Sequence, residues 1–128
     1  MLFSPAPHTP LSWIYRSDKK LHRWHEPAYW KSVARELERG CFDMLFLADS
    51  LGGGRTPDQI RYAIQFPCHD PVALVTYLSA IAERLGFAVT MSTTFYPPFL
   101  LARTLATLDH LTEGRIGWNI VSSISNVE

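Results

Sequence analysis

The stretch Thr107-Leu-Asp-His-Leu-Thr-Glu-Gly-Arg-Ile-Gly-Trp-Asn-Ile-Val-Ser-Ser123 decides the fold. It reads as the tail of a helix, a stop at Gly114, a strand over 116–121, and polar residues where that strand ends. An α/β protein binds its ligands at the carboxyl ends of its parallel strands, where such a switch from apolar to polar occurs. Asn119 stands out because an amide inside an apolar strand needs partners to offset its burial. It is expected to meet a ligand or a polar network. Ser122 and Ser123 read as a turn, and Asp109 and Arg115, on either side of the helix stop, are expected to pair.

The same pattern recurs twice upstream. Pro27 suits a first helical position, where its missing N–H costs nothing. Trp30, Val33, Ala34 and Leu37 follow at i, i+3, i+4 and i+7, and Gly40 supplies the stop. Met44 to Ala48 is a continuous apolar run, as in a strand covered on both faces, and it ends at Asp49. A connection of about twenty residues follows, far longer than the usual βα loop and of the kind that tends to carry function. Asp70 as N-cap and Pro71 open the next helix, whose stripe is Leu74, Leu78, Ile81 and Leu85, ending at Gly86. Phe87 to Met91 is a strand closing on Ser92, Thr93 and Thr94. A third helix runs from Pro98 to His110 with Leu101, Leu105 and Leu108 inward.

With a short apolar start at Leu2-Phe3, the order is β-α-β-α-β-α-β. Strands joined through helices run parallel with right-handed crossovers. Two architectures satisfy this: a doubly wound sheet, or part of a (β/α)8 barrel. In both, Asp49, Ser92 to Thr94 and Asn119 to Ser123 converge at one edge, the carboxyl ends of adjacent strands.

The 128 residues suffice for one domain with a core, and an apolar fraction of 47% excludes a disordered chain. Twelve basic and twelve acidic residues cancel, leaving no electrostatic footprint for nucleic acid or an anionic membrane. No apolar run approaches the roughly 20 residues that span a bilayer. The N-terminus lacks the basic start and long apolar run of a secretory signal. Cys41 and Cys68 have neither metal nor redox spacing, so a reduced protein in the cytoplasm is the simplest account. His22 and His25 have metal-like spacing but no second pair of ligands, and no metal is expected. Gly52-Gly-Gly-Arg55 has the look of an anion nest but matches no phosphate-binding glycine motif, and reads as a loop hinge. Without that glycine motif, a small nucleotide-binding domain is the weakest reading. No nucleophile elbow or carboxylate pair lies at the polar edge, an arrangement that leaves the hard chemistry to a cofactor.

Three stretches carry a family resemblance: Leu37-Glu-Arg-Gly-Cys-Phe-Asp-Met-Leu-Phe-Leu-Ala-Asp49, Ser92-Thr-Thr-Phe-Tyr-Pro-Pro-Phe-Leu-Leu-Ala-Arg103, and Ala106 to Ser123. In order and spacing they resemble the signatures of luciferase-like flavin monooxygenases, in the branch acting on nitrilotriacetate, EDTA and dibenzothiophene sulfone. The resemblance runs from about His8 to Ser123. It implies a TIM (β/α)8 barrel, of which residues 1–128 form the N-terminal half: one partial domain with strands 1–4, truncated at the C-terminus. It also implies reduced FMN supplied by a separate flavin reductase, and O2 as co-substrate for oxygenating a small organic molecule, with cleavage of a C–N or C–S bond. By motif position, Asp49, Thr93, Thr94 and Asn119 would lie against the flavin. His8 would be a catalytic proton donor and Trp13 would border the substrate. A barrel of this type needs roughly 250 residues, and its phosphate site lies in the loops after strands 7 and 8. The chain is therefore expected to hold half a site, completed by a complementary C-terminal half or a further copy. The rival expectation is an inactive half-barrel that serves only as an assembly module.

Overall fold

The computed structural model describes residues 2–3, 25–51, 56–61 and 69–123. The elements run β1 (Leu2–Phe3), α1 (Pro27–Arg39), β2 (Met44–Leu47), α2 (Pro57–Arg61), α3 (Pro71–Ser79), β3 (Gly86–Ser92), α4 (Pro98–Leu111) and β4 (Ile116–Val121). All strand pairs are parallel, and the sheet order is β1-β2-β3-β4. That order separates the two architectures left open by the sequence. A doubly wound sheet reverses direction at a switch point, whereas a barrel adds each strand beside the last. The chain is a run of singly wound β/α units, the barrel arrangement.

The pairing register divides the sheet into two faces. Phe87 lies beside Ile116, Val89 beside Trp118 and Met91 beside Ile120; the alternate set pairs Ala88 with Gly117, Thr90 with Asn119 and Ser92 with Val121. Leu45, Leu47, Phe87, Val89 and Met91 bury themselves in one cluster with Trp30, Ala34 and Leu37 of α1, Leu74, Val75 and Leu78 of α3, and Leu101 and Leu108 of α4. These three helices therefore cover one face. None of these three covers the other face, and toward its amino end the Met44 methyl lies over Gly86 and Gly117, 3.5 Å from where a Cβ would stand on either.

Helix starts follow the expected chemistry. Pro27, Pro71 and Pro98 each open a helix, and the Asp70 carboxylate accepts from the backbone N–H groups of Val72 at 2.8 Å and Ala73 at 3.0 Å. Two helix ends depart from expectation. Gly40 caps α1 with φ −78°, while the left-handed residue is Cys41 at φ 55°. The Cys41 N–H reaches Glu38 O and the Phe42 N–H reaches Leu37 O, a Schellman closure one residue later than the glycine suggests. Helix α3 stops at Ser79, well before Gly86, which instead opens β3.

The early stop of α3 has a tertiary cause. The Arg115 guanidinium donates to Ala82 O and Leu85 O, both at 2.9 Å, with a longer contact to Ser79 O and a bond from Nε to Thr112 O at 2.8 Å. Glu38 of α1 accepts from the N–H groups of Arg84 and Leu85. Segment 80–85 thus trades helical bonds for partners on neighbouring units. This also corrects the expected Asp109–Arg115 pair, since the arginine is engaged by carbonyls.

Candidate functional site

The carboxyl ends of β2, β3 and β4 carry the candidate residues. Asp49 follows β2 by two positions and is half-buried. Thr93 and Thr94 follow β3 directly and are exposed. Their hydroxyls lean toward the next strand: Thr94 Oγ1 donates to Ser122 O at 2.6 Å, and Thr93 Oγ1 reaches Val121 O at 3.3 Å. Both protons are committed to backbone, so toward a ligand these hydroxyls act as acceptors. Ser92, buried, shares a hydrogen bond of 2.8 Å with Ser123 and accepts from the Thr94 N–H. Ser123 adopts a left-handed backbone, φ 55°, as the chain turns off the strand.

Asn119 is half-buried on the face opposite α1, α3 and α4, where its Nδ2 donates to Thr90 Oγ1 at 3.0 Å. Thr90 is buried and donates in turn to Leu47 O at 2.8 Å. The amide therefore has the network expected of it, and three consecutive strands are linked across that face by Leu47, Thr90 and Asn119. His8 and Trp13 lie outside the described residues, as do His22, Cys68 and the 52–55 glycine stretch. The described set around the edge is Asp49, Thr93, Thr94 and Asn119, of which Asn119 alone projects from the middle of a strand.

Two residues were not singled out from sequence. Thr90 reads as an ordinary β-branched strand residue, and its signal was positional: it lies at the register position that faces Asn119. Tyr96, in the turn after β3, is half-buried, and its backbone N–H bonds to Ser92 O. Burial raises its phenol pKa, and the nearby negative charges of Asp70 and Asp49 raise it further. The phenol thus stays a neutral hydrogen-bond donor well above neutral pH.

A groove of about 300 Å³ runs between α4 and Trp118, with Tyr96, Leu101 and Leu105 in its wall. Its lining is apolar and it opens on the helix side of the sheet, opposite Asn119. Among the described residues no cluster of His, Cys, Asp or Glu is suited to a metal ion, and no helix is long and apolar enough to cross a membrane. The half-buried amide, with Oδ1 accepting no hydrogen bond among the described residues, suits a neutral ring edge that offers hydrogen bonds, as in an isoalloxazine.

Residues 7–128 match the model of the luciferase-like monooxygenases. The dimethyl-sulfide monooxygenase of Hyphomicrobium sulfonivorans is 48% identical over 109 residues, covering 81% of this chain and 23% of that enzyme. The crystal structure of DmoA from the same organism superposes with a TM-score of 0.85 at 42% identity, covering 98% of this chain and 28% of that one. A riboflavin lyase, RcaE, solved with modified FMN and its substrate riboflavin, gives a TM-score of 0.83 at 31% identity over 96% of this chain and 28% of its own. The chain spans about a quarter of the length of the curated relatives it matches.

Proposed function

This chain belongs to the luciferase-like monooxygenase family, and on that premise we propose that it supplies the first four β/α units of a flavin-dependent monooxygenase barrel. The observation that carries the reading is the placement of Asp49, Thr93 and Thr94 at the carboxyl edge of a parallel sheet in barrel order, with Asn119 set deeper in β4 opposite Thr90. The residues fit the ring of FMN: Asn119 and the threonine hydroxyls offer neutral hydrogen bonds, and Asp49 offers an acceptor for N–H or ribityl O–H groups. Reduced FMN, delivered by a separate flavin reductase, supplies the electrons with which O2 is activated. The chain's own residues orient the ring at the strand ends, and His8 delivers a proton to the substrate side, with Trp13 bordering the substrate.

The substrate is a small organic molecule whose C–S or C–N bond is oxygenated and cleaved, in keeping with relatives named for dimethyl sulfide, dibenzothiophene sulfone and nitrilotriacetate. The reaction takes place in the cytoplasm, where the reductase would be. The FMN phosphate is anchored by barrel units outside these four. Ile120, 62% exposed on the helix side of edge strand β4, supports that division because it marks where a fifth unit would pack.

The test is a fluorescence-quenching titration of residues 1–128 with FMN. Weak quenching that Asn119→Ala and Asp49→Ala each reduce further is expected. Tight stoichiometric binding would overturn the half-site. Equal binding by both variants and the parent would remove these residues from it.

A further inference from the structure

We propose that Thr90 is a positioning residue that sets which end of the Asn119 amide faces the ligand, so that the ligand must meet it with a hydrogen-bond donor. The supply of protons fixes this orientation. A threonine hydroxyl has one, and the Leu47 carbonyl 2.8 Å away can only accept it. Toward Asn119, at 3.0 Å, Thr90 Oγ1 is then left as an acceptor. Only the NH2 end of an amide can donate there, which resolves the O/N ambiguity inherent in any asparagine. Oδ1 consequently points away from Thr90, and it accepts no hydrogen bond among the described residues.

Thr90 is 5% exposed, so water is poorly placed to substitute for either of its bonds. Its register opposite Asn119 holds the pair in one place on the sheet. Leu47 O thereby fixes a hydroxyl rotor, the rotor fixes an amide, and the amide presents its acceptor. The ligand class that answers is a ring imide or amide N–H; a phosphate or carboxylate oxygen would face Oδ1 with repulsion. The inference rests on the flavin reading for the identity of that ring, because the isoalloxazine carries an imide N–H. The orientation of Asn119 itself does not depend on it.

The test uses the ¹⁵N-labelled full chain. In the parent, the side-chain NH2 protons of Asn119 should exchange with solvent at least about tenfold more slowly than those of a free asparagine amide. Thr90→Val, which keeps the shape and removes the hydroxyl, should abolish that protection, and Thr90→Ser should restore it. Unprotected protons in the parent, or equal protection in Thr90→Val, would overturn the proposal. If Thr90→Val fails to fold by its backbone spectrum, the parent and Thr90→Ser decide the matter. In a parallel FMN titration, Thr90→Val should raise the dissociation constant about tenfold while Thr90→Ser stays within about twofold. Protection without any change in FMN affinity would sink the flavin reading and leave the orientation of Asn119 standing.

Discussion

Replacing Arg115 with alanine removes the guanidinium that joins the end of α3 to the start of β4. Three bonds of 2.8–2.9 Å and a longer contact to Ser79 O are lost together. A hydrogen bond to a charged group contributes about 1.5–3 kcal/mol, but Arg115 is half-buried and some of the freed carbonyls regain water. The net cost is therefore about 2–3 kcal/mol rather than the full sum. For a domain of this size that lowers the melting temperature by roughly 8–10 °C. Lysine can satisfy one or two of these carbonyls but lacks the planar fork, so Arg115→Lys should recover about half of the loss. Asp109→Ala, which removes the neighbour that sequence alone nominates as the partner, should change stability by less than about 0.5 kcal/mol. Thermal and urea unfolding followed by far-UV circular dichroism measure all three. An Arg115→Ala midpoint within about 2 °C of the parent, or an equal loss in Asp109→Ala, would refute the reasoning.

Glu38 gives a pH-dependent counterpart. The hydrogen bond from the Arg84 backbone N–H is the largest influence lowering its pKa below the ordinary 4.5, with further help from Leu85, while partial burial opposes them. A folded-state value below the unfolded one contributes stability above the unfolded pKa, and that stability disappears as pH falls through the folded value. Glu38→Gln should therefore be less stable than the parent at pH 7, with the difference closing below about pH 4 in pH-dependent urea melts; a gap that widens with acid would contradict this. At Gly86 a Cβ would stand 3.0 Å from Asp43 O, the same carbonyl that accepts the Gly86 N–H. Gly86→Ala should cost about 1–3 kcal/mol in the same melts, whereas Gly117→Ala, whose Cβ meets the movable Met44 methyl at 3.5 Å and makes ordinary contacts of 3.7 Å to the Ala88 side chain and Phe87 O, should cost much less. Equal losses would show that the close approach at Gly86 is not what matters.

Local signals were legible wherever the chemistry is local. The prolines that open α1, α3 and α4 and the Asp70 cap all act within one or two turns, and each of these helices begins where its residues indicate. Tertiary partners were not legible. Helix α3 is cut short because Arg115 and Glu38, thirty or more residues away on either side, capture the backbone of 80–85. Cys41 carries the left-handed turn that glycine usually takes, because the closure is set by where the Leu37 and Glu38 carbonyls fall. At the candidate site, Asn119 betrayed itself as a polar residue in an apolar strand. Thr90 did not, since threonine is at home in a strand and only the register brings it to the amide.

The Arg115 and Glu38 clamps lie with the Gly86–Asp43 and Phe87–Arg115 backbone bonds at the amino ends of the strands, while Asp49, Thr93, Thr94 and Asn119 lie near the other end. The sheet is thus fastened at its floor by Arg115 and Glu38, residues distinct from those that tie the ends of β3 and β4 together at its rim. Substitutions at the rim can accumulate without loosening the fastening, so that selection for a new substrate and selection for a folded chain act on different residues. A scaffold divided in this way can change its chemistry many times over while its foundations stay the same.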